Sequence, residues 1–384
     1  MKMSFPVVAA VLAALACPPS NAQDEAVGVE LHSESAPPTG ATGPDWLLDS
    51  ADYGANLWFH SPDPRAPEGS LVGAGRMTLD NGLASRTWLQ GGSGACVELQ
   101  NLITGETLLR AVQPEARLVL DGEDVRLGGL IGQPNRAFLL DEWLEDGTLA
   151  VDPEAWVVAR TANDRIEERE PRTPWKRVRH HAPDVVWPAL GAYYAVTFVP
   201  PAGTDEAARF AGVEATVHYE LYDGLPLFSK WVTVENTGQR AIELDRITVE
   251  ELSIVEGSNW VETRGSLRQP APAGLHVETD YAFGGFVPEN AMRQTVHWRT
   301  EPGFTSQVNY RLETPCRLVV EPTYGPDVIL QPGGSFESMR AFELLMDSTD
   351  RERRGLARRR MLRTLAPWVT ENPLMLHVVS TDPE

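Results

Sequence analysis

From about Ser70 onward, short apolar runs alternate with turn-forming residues. That rhythm predicts an all-β sandwich or barrel. Arg76–Leu79 leads into Asp80-Asn81-Gly82 and then Leu83–Leu89, and an Asn-Gly pair between such runs is a strong hairpin signal. The same logic predicts hairpin turns at Asp121-Gly122, at Asp223-Gly224 between Val213–Tyr222 and Leu227–Glu235, and at Asn236-Thr237-Gly238 before a return through Ala241–Val249. Alternation assigns the faces. Val217, Tyr219 and Leu221 share one face, and Phe228, Val232 and Val234 share one on the next strand. Arg317–Glu321, Asp327–Leu330 and Ser338–Leu345 are again strand-like, with Pro332-Gly333-Gly334 as an intervening turn.

The period changes late in the chain. Thr349 followed by Glu352 has the spacing of a capping box, good helix formers run to Thr364, and Pro367 stands just beyond, so residues 347–370 are expected to form a connector helix. Its arginines at 351, 353, 354, 358, 359, 360 and 363 read as a solvated face favoured by the macrodipole rather than a nucleic-acid or lipid site. Leu374–Val379 then has the composition of a strand buried on both faces, and Ser380-Thr381-Asp382-Pro383-Glu384 resembles a helix start. A strand followed by a helix start opens a βα unit, so residues 371–384 are expected to be the first strand of a missing (β/α) barrel.

At the other end, Lys2, the apolar run Val7–Ala16 and the small residues Ser20 and Ala22 read as a secretory signal peptide over 1–22. The run is too short to cross a membrane. The expected location is therefore periplasmic or extracellular, with lipid anchoring at Cys17 as the alternative. Residues 23–44 are rich in Glu, Ser, Pro, Gly and Thr and are expected to be a flexible linker, which leaves 45–346 for the sandwich. A net charge of −21 works against nucleic-acid binding and suits neutral ligands. Cys96 and Cys316 are too few for a disulfide framework or a zinc site; two buried thiols are the favoured reading and one disulfide the other.

The motifs of metalloproteases, P-loop enzymes and serine hydrolases are absent, and no cofactor is expected. Gly73-Ala74-Gly75 and Gly91-Gly92-Ser93-Gly94 read as turns. His180-His181 with Asp184 could ligate a metal, yet adjacent histidines on an extended segment point apart, so no metal site is assigned. Asp141-Glu142 reads as a solvated pair. The aromatic residues weigh more, because sugar rings stack their C–H faces on flat side chains. Trp58-Phe59-His60, Trp175, Trp187, Tyr193-Tyr194, Trp260 and Trp298 sit in or beside loop-like segments, and Trp58, His60, Trp187 and Tyr193 are the candidate carbohydrate contacts.

Leu79–Thr87, Asn101–Glu106 and the segment Tyr219–Trp231 resemble the N-terminal, galactose-mutarotase-like supersandwich of α-galactosidase (melibiase-type) glycoside hydrolases. Ser335–Leu344 with the following helix resembles the linker into their catalytic barrel. The resemblance covers about residues 45 to 384 and implies a large two-sheet antiparallel β-supersandwich. It further implies a retaining glycosidase whose two catalytic aspartates lie in the absent barrel, so no catalytic residue is assigned here.

Three readings follow. The leading one is a non-catalytic, carbohydrate-associated domain of an exported glycoside hydrolase, with a glycan and the missing barrel as partners, a second copy of the chain as a further partner, and no nucleic acid. The second is a stand-alone carbohydrate-binding or structural module. The third is an aldose-mutarotase-like enzyme drawing on His218, His276 or His297 with a glutamate as base.

Overall fold

The computed structural model describes residues 31–33, 52–62, 71–90, 93–167, 186–256, 274–281, 288–301, 303 and 317–367. The expected signal peptide, most of the expected linker, the expected barrel strand and Trp175, His180, His181, Asp184, Trp260 and Cys316 lie outside them.

A six-stranded sheet holds β1 (Leu31–Ser33), β2 (Asn56–His60), β3 (Arg76–Asp80), β4 (Ala84–Leu89), β5 (Cys96–Asn101) and β6 (Glu106–Thr107) in that order. Its pairs are antiparallel except β1 with β2. One four-stranded sheet orders β21 (Pro326–Leu330), β16 (Ile242–Thr248), β8 (Ala116–Leu120) and β9 (Glu123–Leu127). Another orders β19 (Val296–Arg299), β20 (Arg317–Val320), β17 (Glu250–Ile254) and β7 (Leu109–Ala111). The longest strands form a seven-stranded antiparallel sheet: β12 (Val157–Arg165), β13 (Gly191–Val199), β14 (Val213–Tyr222), β15 (Leu227–Asn236), β23 (Ala341–Leu345) and β18 (Leu275–Thr279), with β22 (Gly334–Glu337) also on β15. Between the sheets run the short pair β10 (Leu130–Ile131) and β11 (Ala150–Val151) and three one-turn helices, α1 (Glu142–Glu145), α2 (Asp205–Arg209) and α3 (Pro288–Ala291).

One apolar cluster joins the sheets. Leu57, Leu79 and Trp88 of the six-stranded sheet, Leu118 and Leu244, Leu252 and Leu318, and Phe198, Val217 and Phe228 of the seven-stranded sheet all belong to it. The architecture is a large antiparallel β-sandwich. Alternation is obeyed where it was clearest: Val217, Tyr219, Leu221, Phe228, Val232 and Val234 all face this core.

Three of the expected hairpins form, β3–β4, β8–β9 and β14–β15. The fourth does not. Both edges of β15 are taken, by β14 on one side and by β22 and β23 on the other, so after Asn236-Thr237-Gly238 the chain leaves for a different sheet and pairs β16 with β8 and β21. The turn at Pro332-Gly333-Gly334 likewise carries the chain between sheets, from β21 to β22. Trp58, Tyr193 and Trp298, expected in or beside loops, are strand residues.

Within the stretch expected to be helical, α4 spans Arg351–Leu365. Its N-cap is Asp350 rather than Thr349: the Asp350 carboxylate accepts from the Arg353 backbone N–H at 2.9 Å and places negative charge at the positive end of the helix dipole. The helix is docked rather than solvated. Met361, with Ala357, Leu362 and Leu365, packs on Leu227 and Leu344 of the seven-stranded sheet and on Met346 just after it, and Arg353 and Arg358 pair with Asp347 and Glu278.

The core also encloses charge. Arg86, Lys230, Glu115, Glu250 and Glu343 are all buried. One guanidinium nitrogen of Arg86 lies 3.0 Å from Glu250 and 3.2 Å from Glu343, and Lys230 Nζ lies 2.7 Å from Glu250. Glu115 accepts from Tyr219 Oη–H, from Trp88 Nε1–H at 3.2 Å and from the Cys96 backbone N–H at 2.5 Å. Burial alone would raise the pKa of Glu250, but Arg86 and Lys230 hold it down to about 2. Burial, then the charge of Glu250, pushes Glu343 well above the carboxylate range. Of this coupled pair Glu343 is therefore the one that keeps the proton and Glu250 the one that carries the charge between Arg86 and Lys230. Cys96 is buried and free, its thiol pushed up to about 12 chiefly by burial, which makes it unreactive.

Candidate functional site

The alternation that sends Val217, Tyr219 and Leu221 of β14 into the core sends His218, Glu220 and Tyr222 to the opposite face of the seven-stranded sheet. Register then aligns their neighbours. Tyr193, Glu220, Ser229, Phe342 and Glu278 form one row across five strands, and His218 lies beside Trp231 in the next. Five strands from three separate stretches of the chain, 191–236, 275–279 and 341–345, thus contribute to one surface.

A cleft of about 260 Å³ opens on this face, closed on one side by α4. Its walls are Trp187, Pro188 and Ala189 from the loop before β13, Tyr222 and Phe342 from the sheet, and Met361, Leu362, Leu365 and Ala366 from the helix end. The polar lining is Glu167, Glu220, Glu278, Thr279, Asp280 and Arg340. A mixed apolar and polar concavity of this kind is a ligand-site geometry.

Glu220, Glu278 and Asp280 are each held by neighbours. Glu220 accepts from Tyr222 Oη–H at 2.7 Å and from Ser229 Oγ–H at 3.0 Å. Burial, together with the Glu220 charge, pushes the Tyr222 phenol well above its usual range, so it stays a proton donor. Burial would raise Glu278, but the hydrogen bonds from His276, at 2.7 Å, and from Arg358 outweigh it and keep its carboxylate ionised below the usual range. Both bonds reach Oε1, leaving Oε2 of Glu278 without a hydrogen bond among the described residues. Asp280 Oδ1 accepts from the Arg340 backbone N–H at 2.8 Å. The Arg340 guanidinium lies 4.6 Å over the Trp231 ring and makes no ion pair among the described residues. Trp231 stacks on His218 with centroids 4.7 Å apart and planes 4° from parallel. His218 is fixed in turn by Tyr193 Oη on Nδ1 at 2.7 Å and by Thr233 Oγ1 on Nε2 at 2.9 Å.

Of the four candidate sugar contacts, the structure brings two to this face. Trp187 lines the cleft, and Tyr193 lies in the same register row as Glu220 and Glu278. Trp58 and His60 lie on β2 of the six-stranded sheet, where Trp58 is buried in register with Thr78. Burial, then Arg76, lowers the pKa of His60. His276 reaches the cleft through Glu278, whereas His297 lies on β19, its pKa lowered by burial and then Arg299. Asp141 and Glu142 line a different concavity with Glu98 and Phe138. The residues missed were Glu220, Glu278, Asp280 and Arg340. Strict alternation on β14 was a usable signal for Glu220, but nothing local signals that β18 and β23 lie beside it.

No protein-family model matches the chain, and no curated protein matches it. Among solved structures it is similar to a GH36 alpha-galactosidase from Geobacillus stearothermophilus, at 13% identity over 71% of this chain and 41% of that one, with a TM-score of 0.34. It is similar to the alpha-galactosidase from Lactobacillus brevis, at 10% identity over 73% and 40% with a TM-score of 0.38. It is also similar to a galactose mutarotase-like protein from Clostridium acetobutylicum, at 10% identity over 72% and 96% with a TM-score of 0.33. The chain spans 40–41% of the length of these two α-galactosidases.

Proposed function

We propose that this chain is a carbohydrate-binding β-sandwich whose sugar site is the cleft under α4, and that it serves as the non-catalytic domain of a longer, exported glycoside hydrolase. The observation that carries the sugar site is the lining: the aromatic residues Trp187 and Tyr222, the Glu278 carboxylate, whose Oε2 has no hydrogen bond among the described residues, and Arg340, which makes no ion pair among them, border one half-open space. A pyranose offers apolar C–H faces to the first and vicinal hydroxyls to the others. Titration of the chain with galactose, glucose and raffinose, read by heat and by tryptophan fluorescence, tests this. Saturable binding that W187A weakens at least tenfold supports the assignment. Absence of binding at tens of millimolar for every neutral sugar refutes it.

One observation favours aldose 1-epimerisation as a second reading, the hydrogen bond of His276 to Glu278, which lines the cleft. Ring opening needs a base for the anomeric hydroxyl and an acid for the ring oxygen. The Glu278 carboxylate, held below its usual range, is a weak base and a good hydrogen-bond acceptor, so binding is the stronger reading. Polarimetry of α-galactose with and without the chain separates the two.

A further inference from the structure

Arg340 borders the cleft and is fixed from both ends. It stands one position before β23 and is clasped by Asp280, one position past β18: the Arg340 N–H donates to Asp280 Oδ1 at 2.8 Å, and the Asp280 N–H donates to the Arg340 carbonyl at 3.3 Å. Lys230 pairs with Ala341, so the continuing register sets Arg340 beside Trp231. There its guanidinium lies 4.6 Å over the indole ring. The ring is held in its turn, since Trp231 is buried and stacked on His218, and His218 is hydrogen-bonded through both ring nitrogens to Tyr193 and Thr233. The Arg340 charge is felt in the cleft wall, where it acts against the upward push that burial and Glu220 give the Tyr222 phenol. A cation held over a ring face spends none of its N–H groups on that contact, so the planar fork of donors is ordered before any ligand arrives. Adjacent hydroxyls on a pyranose ring present acceptor oxygens that two donors of one such fork reach together.

We propose that Arg340 is the specificity-determining residue of the cleft: its guanidinium donates to two adjacent hydroxyls of a pyranose at once, and Trp231 and Asp280 are the residues that position it. This rests on the reading of the cleft as a sugar site. It adds to that reading the group that tells one hydroxyl pattern from another.

The test is a calorimetric titration of the full chain at pH 7 with galactose, glucose, the 2-, 3- and 4-deoxy analogues of each, and the two corresponding uronic acids. In the hexose series that binds, loss of either of two neighbouring hydroxyls is expected to weaken binding about tenfold, the order of one charge-assisted hydrogen bond. In R340M both penalties should fall to about twofold or less, and in R340K, which keeps the charge but replaces the fork by a point donor, at most one should persist. Each penalty is a ratio of affinities within one variant, so a general weakening cancels. Arg340 is half-buried, so these two substitutions leave the core intact. W231L should flatten the pattern although Arg340 is present, and W231F, which keeps a ring under the guanidinium, should restore it. Should W231L fail to fold, D280A tests the positioning from the backbone side, with the same flattening expected. A hydroxyl pattern that is the same in R340M as in the wild type would overturn the assignment of Arg340 while leaving the sugar site standing. A uronic acid that binds tighter than its hexose in the wild type but not in R340M would give the fork to a carboxylate and overturn the hydroxyl pair. Binding by none of these sugars would overturn both the inference and the sugar site.

Discussion

Replacing Glu343 with glutamine removes no charge from the interior, whereas replacing Glu250 removes the carboxylate that Arg86 and Lys230 share. Both side chains are fully buried within reach of Arg86, yet they hold opposite protonation states, Glu343 neutral and Glu250 ionised. In E250Q, Arg86 and Lys230 lose the carboxylate nearest to both, and the expected loss approaches that of a broken buried pair, about 3–5 kcal/mol, less what Glu343 restores by ionising once the Glu250 charge is gone. In E343Q a neutral acid becomes a neutral amide of nearly the same shape, and the change at pH 5 should stay within about 1 kcal/mol. The pH dependence is more diagnostic. A carboxyl whose folded pKa is raised contributes stability that is complete below its unfolded pKa and is lost as pH rises toward the folded one. The wild type should therefore lose stability relative to E343Q by up to about 1.4 kcal/mol per pH unit above pH 5, the value for one proton. Urea unfolding of wild type, E343Q and E250Q at half-unit steps from pH 5 to 8 measures this. Parallel profiles for wild type and E343Q, or equal destabilisation by the two substitutions, would refute the assignment of the proton to Glu343.

Other consequences are equally open to measurement. Asp80, pushed up to about 6 chiefly by burial and with a buried oxygen that has no hydrogen bond among the described residues, should behave as Glu343 does but over a lower window: D80N should gain stability relative to wild type between about pH 4 and 6 and no further above pH 7, by about 1–3 kcal/mol in all. A flat difference across that window would show that Asp80 is not the titrating group. G128A should lose more than about 2 kcal/mol in chemical denaturation, because Gly128 has φ +64° and an added Cβ would fall 2.0 Å from the Ser93 carbonyl oxygen. R358M removes one of the hydrogen bonds that hold Glu278 down, so the Glu278 carboxyl should titrate at higher pH by carbon-detected NMR, and an unchanged titration would place the control with His276 instead.

Much of the architecture was legible locally. The turns at Asn81-Gly82, Asp121-Gly122 and Asp223-Gly224 hold because each joins strands that pair with one another, and residue chemistry at a tight turn is decided by backbone torsion alone. Asn236-Thr237-Gly238 carries the same chemistry and yet makes no hairpin, since a turn signal reports a change of direction and not which edge is free. Among the site residues, Trp187 and Tyr193 were found by type, whereas Trp58 and His60, of the same types, belong to another sheet.

What the sequence by itself determined is therefore what depends on near neighbours: the strand rhythm, the inward face of β14 and β15, and the helix that begins next to Asp350. What only the tertiary structure decided is pairing between distant strands. The row Tyr193, Glu220, Ser229, Phe342 and Glu278, the protonation of Glu343 and the docking of α4 over the cleft each bring together residues far apart along the chain. Side-chain period fixes which face a residue takes, but the identity of its cross-strand neighbour is set by competition among all strands for edges and for one shared core, and that competition leaves no local trace in the sequence.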